Sequence, residues 1–220
     1  GKLGGREMTA SSDLDLMLLY DFDPACEASD GAKPLAPSQY YIRLTQRLVA
    51  ALSAPTAQGL LYEVDFRLRP SGSKGPMATR LVAFRSYHAE EAWTWEHMAL
   101  TRARPIAGDP GFARVVEAAI RDVLVAPRAL EKLRADVVEM RDLIRQEKGT
   151  RDPWDIKQVD GGLVDVEFVA QFLQLRHAPE TAEVLATGTI PALMRLAAAG
   201  FLDADTAEVL IPAMRLYQGL

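Results

Sequence analysis

Two aspartates stand one residue apart in "SSDLDLMLLYDFD", Ser11 to Asp23, at the head of an apolar run that reads as a strand. Side chains alternate faces along a strand, so Asp13 and Asp15 share one face and Leu14, Leu16 and Leu18 the other. Two neighbouring carboxylates repel each other, and a bound cation removes that cost. A second segment, "LYEVDFRLRP" from Leu61 to Pro70, alternates in the same way. Tyr62, Val64, Phe66 and Leu68 point one way; Glu63, Asp65, Arg67 and Arg69 point the other. Asp65 thus completes a candidate metal triad with Asp13 and Asp15. Arg67 and Arg69 are candidates for reaching phosphate oxygens. Carboxylates, one or two divalent metals and nearby arginines suit in-line displacement at phosphorus. Upstream, "GKLGGREMTASS" from Gly1 to Ser12 reads as a flexible loop, of the kind that brings backbone N–H groups close to a triphosphate. Glu63 reads as solvated or salt-bridged. Lys74, in a Gly/Ser turn, is divided between phosphate and solvent.

Composition limits the metal and the partners. With one cysteine, Cys26, and three widely spaced histidines, His88, His97 and His177, a disulfide or a thiolate or imidazole cage is not expected. Oxygen ligands favour Mg2+ or Mn2+. A net charge of -5 weighs against a nucleic-acid surface. No apolar run is long enough to span a bilayer and no signal peptide is visible, so no membrane partner is expected and the chain reads as cytoplasmic. Its 220 residues suffice for one large domain or two small ones.

The elements that must position these residues follow from periodicity. Leu14 to Tyr20 reads as one central strand, Asp23 to Gln39 as a loop, and Tyr41, Leu44, Leu48 and Leu52 as one helix face. Leu61 to Leu68 reads as a strand, Arg69 to Pro76 as a turn and Met77 to Leu81 as a short strand. Beyond about Ala83 the pattern is helical. Asp109-Pro110 reads as a helix start. Leu130, Leu133, Val137, Met140 and Ile144 form a stripe; further helices begin after Gly161-Gly162, run from Thr189 to Ala199 with Gly200 as the stop, and start near Asp203. His97 and the Trp93/Trp95 pair read as packing residues. The expected architecture is an α+β head, residues 1–85, followed by an all-α body, residues 86–220.

A glycine-led loop, then D-x-D, then a third aspartate on a later strand resembles the DNA polymerase beta-like nucleotidyltransferase superfamily. The strings "GKLGGREM", "SSDLDL", "VDFRLRPSG", "EAWTWEHMALTRAR" and "GGLVDVEF" resemble the glutamine synthetase adenylyltransferase family, over nearly the whole chain. The resemblance implies that Gly1-Lys2 occupies the superfamily's Gly-Ser turn, with lysine in place of serine. Gly1, Lys2, Gly4, Gly5, Ser12, Arg67 and Arg69 are then the ATP-binding residues, and Asp13, Asp15 and Asp65 the catalytic metal ligands. It also implies AMP transfer from ATP to a tyrosine of glutamine synthetase, with the PII signal protein as a second partner. That enzyme carries two such units and 220 residues hold one. The chain is therefore expected to be a fragment, without its first core strand and truncated at its C-terminus.

"RPSG" at Arg69–Gly72, "AWTWEHMAL" at Ala92–Leu100 and Asp165 in "GGLVDVEF" resemble the adenylylating half; the other half reads more like "DWERYA" at the second string. The phosphorolytic half and a PII uridylyltransferase-like enzyme remain as alternatives. So does a module that binds nucleotide or a partner without catalysis. On a helix Asp165 and Glu167 do not share a face. Asp165 falls on a largely apolar side and needs a partner, for which an arginine such as Arg102 or Arg104 is expected; otherwise the body contributes an acid to the active-site cleft.

Overall fold

The computed structural model describes residues 1–60 and 62–219. They separate into two compact units: Gly1–Leu3 with Met8–Ala92, and Gly4–Glu7 with Trp93–Leu220. The first is α+β. The second contains only helices among its described residues.

The apolar run after Asp13 forms two short strands, β1 (Leu14–Asp15) and β2 (Leu18–Tyr20), rather than one. The reason lies in their partners. β3 (Val64–Asp65) pairs parallel with β1, placing Leu14 opposite Val64 and Asp15 opposite Asp65. The ladder closes where the Leu16 N–H donates to the Asp65 carbonyl (2.8 Å). Past Phe66 the chain turns, with Arg69 N–H on the Phe66 carbonyl and Gly72 N–H on the Arg69 carbonyl. β2 therefore pairs parallel with β4 (Ala78–Arg80), Leu18 opposite Ala78. The strand expected over Leu61–Leu68 is confined to Val64–Asp65, and Leu61 lies outside the described residues.

Tyr20, Phe66, Ala78, Leu81 and Phe84 are buried in this unit. Tyr20 stacks on Tyr41 of α2 (Pro37–Leu52) at 4.3 Å between ring centroids. The helix opens on a proline, where the missing N–H costs nothing. Its expected core face is only half realised: Leu44, Leu48 and Leu52 remain exposed, and Thr45 is its buried residue. The unit closes on α3 (Leu81–Glu90). The expected loop at Gly1–Ser12 contains a single helical turn, α1 (Lys2–Gly5).

The second unit holds α4 (Thr94–Leu100), α5 (Pro110–Leu124), α6 (Leu130–Lys148), α7 (Leu163–His177), α8 (Thr189–Ala198) and α9 (Ala204–Gly219). Asp109 caps α5 as its sequence predicts, its carboxylate accepting from the Phe112 N–H (2.8 Å). Gly200, with φ +77°, supplies the left-handed residue that ends α8. Val166, Ala170, Val184, Leu193, Leu196 and Met214 form the core where α7, α8 and α9 meet. Trp93 does not pack as expected: it is 71% exposed and engages the Glu96 carboxylate through its backbone N–H. No helix among the described residues is long and apolar enough to cross a membrane.

Candidate active site

β1 and β3 decide where the carboxylates meet. In a parallel pair, residues in register carry their side chains on the same face. Asp15 and Asp65 are such a pair, and the Leu14 N–H to Glu63 carbonyl bond (2.8 Å) carries the register back to Asp13 and Glu63. Asp13, Glu63 and Asp65 line a shallow cleft with Val64, Phe66, Arg67 and Arg69. Asp13 and Glu63 are exposed, as the sequence reading has Glu63, while Asp15 and Asp65 are half-buried. The donor set, carboxylate oxygen throughout, fits a hard divalent cation. Among the described residues no three His, Cys, Asp or Glu side chains are drawn together as a metal-holding group.

The positive charge facing Asp65 comes from Arg67. Its backbone N–H donates to Asp65 Oδ1 (2.7 Å) and its Nε to Oδ2 (2.7 Å), with Nη2 at 2.5 Å. The guanidinium hydrogen bond, with the backbone N–H and the charges of Arg67 and Arg69, outweighs burial and holds the Asp65 carboxyl below the usual carboxylate range. Both arginines follow β3 in a turn, so strand alternation does not place them. Arg69 directs its donors inward, Nη1 to the Phe66 carbonyl (2.7 Å), Nη2 to Ser73 (3.2 Å) and Nε to Gly75 (3.2 Å). It staples the turn that Arg67 begins. Lys74 is exposed in that turn.

The loop candidates divide. A side chain at Gly1 would collide with the Asp15 carboxylate, so the backbone there runs against that acid as only glycine allows. Lys2 lies half-buried in α1. Ser12 is buried and closes the turn leading into Asp13, its Oγ accepting from the Thr9 N–H (2.9 Å). Gly4 and Gly5 belong to the second unit. A Cβ on Gly4 would collide with the Arg102 carbonyl, and one on Gly5 would press at 3.1 Å on the Arg102 guanidinium. Close backbone packing therefore accounts for these two glycines.

Arg102 explains that packing. It is 6% exposed and pairs with Glu7 and with Glu167 (Nη1–Oε1 2.6 Å). Glu7 also accepts from the Thr189 N–H (2.8 Å), at the start of α8. Arg102, an arginine expected beside Asp165, is thus held by Glu167. Asp165 also forms the expected salt bridge, but its arginine is Arg141 of α6, with the Gly161 N–H on its second oxygen (2.6 Å). Burial pushes the Asp165 carboxyl up, but Arg141 and Gly161 outweigh it and hold the group low. Arg141 lies 24 residues away on a neighbouring helix, and Glu7 sits in a glycine-rich loop 95 residues from Arg102. No local spacing signals either pairing.

The head thus carries carboxylates on paired parallel strands and is followed by a helical unit. Residues 1–119 match the family model of glutamate-ammonia ligase adenylyltransferase, and residues 128–220 that of GlnD PII-uridylyltransferase. Across its whole length the chain is 57% identical to the bifunctional glutamine synthetase adenylyltransferase/adenylyl-removing enzyme of Brucella suis biovar 1 (strain 1330). It is 55% identical to the protein of that name from Mesorhizobium japonicum and 54% to that from Rhodopseudomonas palustris (strain TIE-1). The chain spans 22% of the length of each of these relatives. It belongs to the glutamate-ammonia ligase adenylyltransferase family, a family of enzymes.

Proposed function

We propose that the chain is a nucleotidyltransferase unit of the polymerase beta-like kind that moves AMP from ATP to a tyrosine of glutamine synthetase. The observation that carries this reading is the register of β1 and β3, which sets Asp15 opposite Asp65 on the face that holds Asp13. Asp13, Asp15 and Asp65 would hold Mg2+ or Mn2+, which when bound neutralises phosphate charge and lowers the pKa of a hydroxyl beside it. The tyrosine oxygen forms a bond to the α-phosphorus as the bond from that phosphorus to the bridging oxygen breaks, and pyrophosphate leaves. Asp65 takes the hydroxyl proton, which need move only a short way to a carboxylate on the same face. Arg67 is the arginine with a guanidinium at the cleft for charge developing on the phosphates, because Arg69 is tied to backbone carbonyls. Gly1 and Lys2 would approach the phosphates through backbone N–H groups.

The adenylylating direction is supported by the "RPSG" and "AWTWEHMAL" strings and by Asp165. The relatives are named for both adenylylation and adenylyl removal, so either half is compatible with them. The helical unit, matched to a PII-uridylyltransferase model over residues 128–220, is the candidate for docking glutamine synthetase or the PII protein. A cytoplasmic location accords with these partners. The test is ATP binding with and without Mg2+, followed by AMP transfer. Metal-dependent binding that Asp15→Asn abolishes supports an enzyme; binding without metal or transfer supports a nucleotide-holding module.

A further inference from the structure

We propose that Arg67 is a placeholder cation: it holds Asp65 until a divalent ion takes Oδ2, and the displaced guanidinium then turns to the nucleotide's phosphates. This rests on the metal reading of Asp13, Asp15 and Asp65 above.

Three observations point to an exchange rather than a fixed salt bridge. The pair is lopsided: the Asp65 side chain is 16% exposed and the Arg67 side chain 80%. The carboxylate is fixed in the cleft wall, while the guanidinium already lies in water and leaves it at little desolvation cost. Second, Asp65 is anchored without the guanidinium, because the Arg67 backbone N–H keeps Oδ1 (2.7 Å) whichever way the side chain turns. Removal of the guanidinium frees Oδ2 on a carboxylate that stays oriented. Third, the anionic surroundings exceed what one guanidinium neutralises. Asp13 and Glu63 line the cleft with Asp65, and Asp13 and Asp15 both act electrostatically on Arg67. A divalent ion matches that charge better than a monovalent one. Arg69, held by the Phe66, Ser73 and Gly75 carbonyls, has no such freedom.

The exchange makes metal and phosphate binding cooperative. Without metal Arg67 is engaged by Asp65 and does little for phosphate; with metal it is available. The test titrates Mn2+ by electron paramagnetic resonance, on the wild type and on Asp65→Asn, Arg67→Ala and Arg67→Lys. Inorganic pyrophosphate is then titrated with and without Mn2+. Asp65→Asn should weaken Mn2+ binding at least about ten-fold. Arg67→Ala and Arg67→Lys should both tighten it about two- to five-fold, since lysine cannot reproduce the fork on Oδ2. With saturating Mn2+, Arg67→Ala should weaken pyrophosphate binding about ten-fold, and without Mn2+ leave it unchanged. If Asp65→Asn weakens Mn2+ but Arg67→Ala does not tighten it, the placeholder role is overturned and the metal site stands. Lysine behaving as wild type, or an equal pyrophosphate loss with and without Mn2+, also overturns it. If Asp65→Asn leaves Mn2+ binding unchanged, the metal reading falls and the exchange with it.

Discussion

Replacing Arg102 with Met keeps most of the aliphatic stem and removes the charge that two carboxylates share. Arg102 is buried, and its partners Glu7 and Glu167 are 11% and 15% exposed in their side chains. Glu7 keeps the Thr189 N–H; Glu167 has no second cationic partner among the described residues. Breaking a buried ion pair from one side costs about 3–5 kcal/mol, because the remaining charge stays desolvated. The partial exposure of both glutamates puts the expected loss near the lower end, about 3 kcal/mol, a Tm fall of roughly 10 °C for a unit of this size. Urea unfolding followed by circular dichroism measures it, with a lower midpoint and an unchanged slope. The triple variant Arg102→Met, Glu7→Gln, Glu167→Gln should recover more than half of the loss, since no bare charge is left. A loss under about 1 kcal/mol for Arg102→Met, or a triple variant worse than the single, would refute the network's role in joining Gly4–Glu7 to α7 and α8.

Gly4→Ala, which in an open helix would stabilise by up to about 1 kcal/mol, should here destabilise by about 2 kcal/mol or more, because its Cβ meets the Arg102 carbonyl; the same urea titration gives the sign. Asp165 is held below its unfolded value, so its contribution is complete above about pH 4 and is lost as pH falls through the lower folded value. Asp165→Asn should lower stability at pH 7 and flatten its fall in that acid window, as acid-induced unfolding of the two proteins will show.

The chemistry was more legible than the architecture around it. Asp13, Asp15 and Asp65 could be placed on shared faces because strand alternation is local, and register then set Asp15 against Asp65. Arg67 and Arg69 do reach the cleft of Asp13 and Asp65, but by another route than strand alternation, since β3 ends two residues before Arg67 and a turn, not a pleat, aims them. The split of Leu14–Tyr20 depends on which strands lie beside it, information held in Val64–Asp65 and Ala78–Arg80. Helix starts at Asp109 and the stop at Gly200 were readable because capping and left-handed backbone are single-residue effects. The Glu7–Arg102–Glu167 and Arg141–Asp165 pairings were not, because long side chains meet across distant elements with no periodic trace.

The most direct measurement is a paired assay on the complete protein, with Asp15→Asn as its control. Labelled ATP and unmodified glutamine synthetase report adenylylation; adenylylated glutamine synthetase and phosphate report ADP formation. An adenylylating unit built on Asp13, Asp15 and Asp65 predicts that Asp15→Asn lowers label transfer by about a hundred-fold or more and leaves ADP formation near the wild-type rate. Label transfer at the wild-type rate with ADP formation lost would assign these residues to adenylyl removal and contradict the account.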